Sequence, residues 1–168
     1  MTRFISIYSF IYLILGVSSI SSYADVGMKL TGTLISPPTC TVTSTGPDGG
    51  DMIDINFSDR VGINKIDGVN YIQPVNYQIV CNPFSSSWDA KISVTGIATG
   101  FDPAAVQTNF SDLGIRLMQN GLPFELNKPV SIDPEHPPAL TAVPVKAVNA
   151  DLPEGEFIAT ATLLVQYQ

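Results

Sequence analysis

Most of the chain alternates apolar and polar residues with a period of two, the pattern of half-buried β-strands. The longest such run is residues 155–168, where Phe157, Ala159, Ala161, Leu163, Val165 and Tyr167 share one face. Ile158, Thr160, Thr162, Leu164, Gln166 and Gln168 share the other. The chain stops at the end of this run with no following strand to cover its edge, and open apolar edges recruit other chains. Shorter alternating runs at 52–57, 75–81, 90–96, 113–118 and 139–148 predict further strands, and 123–132 predicts two short pieces. Pro144 argues for an edge or a bulge within the 139–148 run. Asn120-Gly121 supplies a tight hairpin turn. Residues 43–51 are turn chemistry, residues 58–68 are polar and irregular, and residues 133–138 form a loop. Asp102-Pro103 is the only helical cue and predicts a turn or two at most.

A second unusual run opens the chain beyond residue 24. Val26, Met28, Leu30, Gly32 and Leu34 share one face, and Gly27, Lys29, Thr31 and Thr33 the other. Free N-termini are normally polar and fray, whereas this one is patterned as a strand. Gly32 stands in its apolar row, which suggests close approach to another backbone or a bulky partner.

Ahead of it, Arg3, an apolar run over residues 4–17 and a serine-rich exit ending at Ala24 predict a secretory signal peptide cleaved after Ala24. The apolar run is shorter than the roughly 20 residues a membrane span needs, so no stable membrane insertion is expected. Cleavage leaves 144 of the 168 residues, a length suited to one domain with one core. Glycine and proline at 13 each, with only 14 % charged residues, favour short strands and turns over helices. The net charge of −7 and the scattered Lys and Arg argue against a nucleic-acid surface. Cys40 and Cys81, two thiols in an exported chain, are expected to form one disulfide. Seven or so strands with a single bridge and no internal repeat point to an immunoglobulin-like β-sandwich.

Candidate catalytic and metal chemistry is thin. His136, the only histidine, lies in a proline-rich loop with no motif placing a nucleophile beside it. Asp48, Asp51 and Asp54 lack the ligand alternation and terminal glutamate of a calcium loop. Trp88 reads as packing rather than as a sugar-stacking aromatic. No enzyme activity, metal or cofactor is expected.

Taken together, the signal peptide, the alternating 25–36 segment with Gly32, Pro37-Pro38-Thr39-Cys40-Thr41-Val42, Cys81 and the final run with Tyr167 next to its end resemble a chaperone–usher pilin of Gram-negative bacteria. The resemblance implies an all-β, incomplete immunoglobulin-like sandwich that lacks its final strand and is completed by a donated one. It implies a cleaved segment 1–24, a donor extension 25–36 and a pilin domain 37–168. Partners would be a periplasmic chaperone, an outer-membrane usher and neighbouring pilin subunits, with export through the periplasm to the cell surface. By the same resemblance Val26, Met28, Leu30, Gly32 and Leu34 form the donor strand. Phe157, Ala159, Ala161, Leu163, Val165, Tyr167 and Gln168 form the acceptor groove and chaperone contact. A register shift of one residue would present Ile158 and Leu164 instead. The length and the donor extension argue against a tip adhesin and leave a major rod subunit, a minor tip-fibre adaptor or a terminating anchor, and the Pro-Pro-Thr-Cys start looks more like minor, tip-fibre subunits. The alternative is an autonomous secreted sandwich that binds a ligand or carbohydrate, with its N-terminal strand folded back on itself.

Overall fold

The computed structural model describes residues 26–34, 36, 38–46, 50–82 and 89–167. The segment read as a signal peptide, together with Trp88, Asp48 and Gln168, lies outside these residues. The chain divides after Leu34 into two units. In the first, residues 26–34 carry no regular secondary structure, and Val26, Met28, Leu30 and Leu34 are exposed.

The second unit is all β among the described residues apart from a 3-10 turn at Ile63–Lys65. Its strands are β1 (Thr39–Ser44), β2 (Gln73–Pro74), β3 (Tyr77–Asn82), β4 (Ala90–Thr95), β5 (Ala105–Gln107), β6 (Leu113–Gln119), β7 (Leu122–Pro123), β8 (Val130–Ile132), β9 (Leu140–Lys146) and β10 (Thr162–Tyr167). One sheet runs β10-β4-β8, and a second runs β2-β9-β6-β5 with β7 hairpinned onto β6. A separate pair, β1-β3, carries Cys40 opposite Cys81, and the two are joined by a disulfide. All pairings are antiparallel.

The period of two sets which side chains meet between the sheets. Ile92 and Val94 of β4 and Val165 of β10 face Val106 of β5 and Leu140 of β9, with Phe124 and Leu126 closing the core. Cys40, Val42, Tyr77 and Ile79 of the disulfide-linked pair pack on the same cluster. This is the two-layer sandwich that the strand count predicts.

Local chemistry explains where elements end and where expectation and structure differ. Asn120 (φ 50°) and Gly121 (φ 81°) form the two-residue turn between Gln119 and Leu122, with both residues in the left-handed region such hairpins require. Asp102 caps no helix. Its Oδ1 accepts the Ala104 N–H at 2.9 Å, and its Oδ2 accepts from Arg116 Nε at 2.6 Å. That turn feeds directly into β5.

Pro144 lies inside an unbroken β9, opposite Ile115 of β6. The Leu140 carbonyl accepts from Val75 N–H, so even-numbered residues of β9 turn their backbone groups toward the β2 side. Pairing with β2 stops at Ala142. The missing N–H of Pro144 therefore falls where β9 is already an edge, and no ladder bond is lost.

Candidate functional site: an apolar cleft between two unpaired rims

Two runs predicted as strands form no ladder. Residues 52–57 alternate in burial, with Ile53, Ile55 and Phe57 turned inward and Met52, Asp54 and Asn56 exposed, yet no strand pairs with them. Residues 157–161 behave likewise: Phe157 and Ala159 are half-buried, while Ile158 and Thr160 are exposed. Ladder pairing begins only at Thr162, opposite Thr95.

The two runs flank one cleft of about 580 Å³, lined by residues 51–55 and Phe57 on one side and residues 157–163 on the other. Val94, Val106, Ile115, Leu117, Leu140 and Ala142 contribute apolar floor. Phe57 and Phe157, one from each rim, approach to 6.1 Å between ring centroids at an interplanar angle of 39°. Aromatic pairs prefer such tilted contacts.

Among the described residues, nothing hydrogen-bonds the backbone N–H or C=O groups of residues 52–57, nor those of Phe157, Ala159 or Ala161. A buried or half-buried run of extended chain ordinarily finds ladder partners. Among the described residues both rims lack them, with apolar side chains between, so one strand position beside these rims has no described occupant.

The sequence-expected acceptor residues divide. Phe157, Ala159, Ala161 and Leu163 all line the cleft. Val165 is buried in the central core, and Tyr167 is half-buried at the end of β10, its hydroxyl buried without a partner among the described residues. Neither lines the cleft. On the other face, Ile158 and Leu164 are 64 % and 43 % exposed, so the odd-numbered residues are the inward set. At Gly32 an added Cβ would meet nothing within 4 Å. Residues 52–57 were read in sequence only as a strand. Their role as the second rim carried no local signal, because it depends on what does not pair with them.

Elsewhere, His136 Nδ1 lies 2.9 Å from Asp133 Oδ2 on an exposed turn that does not touch the cleft. The hydrogen bond that the ring donates to that carboxylate raises the imidazole pKa above its ordinary value. Among the described residues, no three His, Cys, Asp or Glu side chains gather in a way that could hold a metal ion. Nor is any helix of the described residues long and apolar enough to cross a membrane.

Solved structures of pilus subunits share this sandwich at the level of fold. The P pilus rod subunit PapA superposes with a TM-score of 0.58 at 20 % identity, over 84 % of this chain and all of that one. A subunit in the structure of a chaperone–usher pilus, solved to explain rod uncoiling, gives 0.57 at 18 % identity over 90 % of this chain and 100 % of that one. The family described as fimbrial protein matches residues 28–168, and the chain belongs to it. It is 37 % identical to the fimbrial-like protein YfcQ of Escherichia coli (strain K12), over 95 % of this chain and 98 % of that one.

Proposed function

We propose that this chain is a structural, non-enzymatic subunit of a chaperone–usher fimbria. Its cleft accepts a β-strand from another chain, and residues 25–36 are the strand it donates in turn. The observation that carries this reading is the pair of rims, in which residues 52–57 and Phe157, Ala159 and Ala161 have no backbone hydrogen-bond partner among the described residues, across an apolar floor. Strand addition satisfies both at once: main-chain hydrogen bonds form along the rims while alternate side chains fill the cleft.

Val26, Met28, Leu30 and Leu34, exposed and spaced two apart apart from the glycine position, supply such side chains. Burying three large ones stabilises a junction by several kcal/mol, at about 1.5–3 kcal/mol each. Gly32 fills the row without a side chain and leaves the strand slack at one point. Before assembly a periplasmic chaperone occupies the cleft and an outer-membrane usher exchanges it for the next subunit's extension. Residues 1–24 direct export and are removed, leaving the domain 37–168 and its extension at the cell surface. The Pro-Pro-Thr-Cys sequence at residues 37–40 favours a minor, tip-fibre adaptor that supports adhesion through its neighbours.

A synthetic peptide of residues 25–36, titrated against the exported chain, tests the reading. Saturable one-to-one binding that disappears when Leu30 and Leu34 of the peptide are replaced by Asp is expected. Equal binding of both peptides, or of neither, would contradict it.

A further inference from the structure

We propose that Asn109 is a positioning residue for strand acceptance: its side-chain amide replaces the strand that the 157–161 rim lacks on its outer side and holds the rim aligned for the incoming strand. The proposal rests on the strand-acceptance reading above.

The rim leaves its partner strand early. β4 pairs with β10 as far as Thr95 and Thr162, after which the chain turns off at Gly96 and Ile97 accepts from Gln107 N–H instead. Gly96 has room for this divergence because an added Cβ there would meet Ala161 Cβ at 3.3 Å. From Thr162 back to Phe157 no strand lies beside the rim, and the next group to meet it is Asn109. Three hydrogen bonds join them. Ile158 N–H donates to Asn109 Oδ1 at 2.9 Å, Asn109 Nδ2 donates to the Glu156 carbonyl at 3.0 Å, and Asn109 N–H donates to the Ile158 carbonyl at 3.3 Å. A side-chain amide carries the same donor and acceptor as a peptide group, and here it makes the contacts a neighbouring strand would make.

The consequence lies on the opposite side. In extended chain the backbone groups of successive residues point to alternate edges. With Glu156 and Ile158 fastened toward Asn109, Phe157 and Ala159 present their N–H and C=O groups to the open edge, where an added strand must bond.

The mount is itself braced. Thr108, 7 % exposed, donates through Oγ1 to the Leu113 carbonyl at 2.8 Å, and Gln107 Nε2 donates to the Phe110 carbonyl at 2.6 Å. Gly155 lets the rim pass the neighbouring Phe110 ring, since a Cβ at 155 would lie 3.0 Å from Phe110 Cζ. Loop 108–112 is thus a fixed bracket from which Asn109 reaches the rim. Without it, the backbone of residues 157–161 would have no hydrogen bond among the described residues before Thr162, and only the packing of Phe157 and Ala159 would order it ahead of the arriving strand. Preorganisation removes that cost.

The test uses the full chain and the peptide of residues 25–36, following the rate of peptide uptake and backbone amide exchange together. Asn109→Ala is expected to slow and weaken uptake by about tenfold, the effect of returning a few rim residues to the flexible state, while exchange at the core residues Ile92 and Val143 stays as in the wild type. Asn109→Asp, which keeps the acceptor for Ile158 N–H and loses the donor to Glu156, should fall between. Uptake by wild type and Asn109→Ala at equal rates overturns the assignment of Asn109 and leaves strand acceptance standing. No uptake by either chain overturns both. Should Asn109→Ala fail to fold, the strand-free wild type decides: the Ile158 amide must exchange more slowly than those of Ala159 and Ala161, and equal exchange at all three overturns the proposal.

Discussion

Asparagine side chains do much of the strand pairing where strands in this sandwich run out. Asn109 bonds Ile158 on both sides of the peptide, and Asn127 (φ 62°) does the same for Gly96, donating from Nδ2 at 3.0 Å and accepting at Oδ1 at 3.3 Å. Asn120 accepts Ala139 N–H at Oδ1 and donates its own N–H to the Ala139 carbonyl. Asparagine tolerates the left-handed conformation two of these positions need and carries a peptide-like amide. Only Asn120 was legible in the sequence, because its turn partner is the adjacent Gly121. Asn109 and Asn127 act on residues 49 and 31 positions away, and no local pattern marks them.

Tyr77 is a further residue whose behaviour follows from packing. Its hydroxyl donates to the Pro138 carbonyl at 2.6 Å, and burial pushes its pKa up to about 12. The folded chain therefore holds the proton more tightly than the unfolded chain, in which tyrosine titrates near 10. The resulting contribution to stability is complete below pH ~10 and is lost as pH rises toward ~12. Ultraviolet titration should show one phenol ionising late, and urea unfolding should show stability falling over that interval. A Tyr77→Phe chain should lose this part of the alkaline dependence.

At the scale of elements, alternation alone located β3, β4, β6, β9 and β10 to within a residue or two at most boundaries. It also marked 52–57 and 157–161 as strand-like, and burial does alternate over 52–57 and 157–160. They differ from the other runs only in having no ladder, which is a property of two segments about a hundred residues apart and so invisible to a local reading. The Asp102-Pro103 cue gave a turn in place of helix because Asp102 is committed to Ala104 N–H and Arg116, which starts β5 instead.

The disulfide acts on one element in particular. It fixes β1 against β3, with Cys40 directly opposite Cys81 and 41 positions from it in sequence. β1 pairs with no other strand among the described residues, and the bridge is its covalent tie to β3. Closing a loop of that length is worth about 4 kcal/mol on the chain-entropy model. Replacing both cysteines by serine should lower unfolding stability by about that amount in denaturant titration, with β1 amides losing protection first.

At the scale of the molecule, two incomplete parts share one chemistry. Residues 26–34 expose a row of apolar side chains spaced for a strand, and residues 35–168 hold a cleft shaped for one. A sandwich of this size is commonly stable by only about 5–15 kcal/mol, so an unfilled strand position weighs heavily in whether it stays folded. The net charge of −7 and the few cations disfavour non-specific association with anionic partners. The family and the two alternating terminal runs were readable from residues alone. The second rim and the bracket that carries Asn109 were not, since both arise from segments brought together by the fold.

The most direct measurement is thermal unfolding of residues 37–168 with the disulfide intact, alone and with residues 25–36 joined after residue 168 through a short flexible linker. An open strand position requires the domain alone to melt at low temperature or without cooperativity, and the joined strand to raise its midpoint by at least ~15 °C, roughly what several kcal/mol does in a domain of this size. A domain that unfolds cooperatively at high temperature alone, and gains nothing from the added strand, would contradict the account.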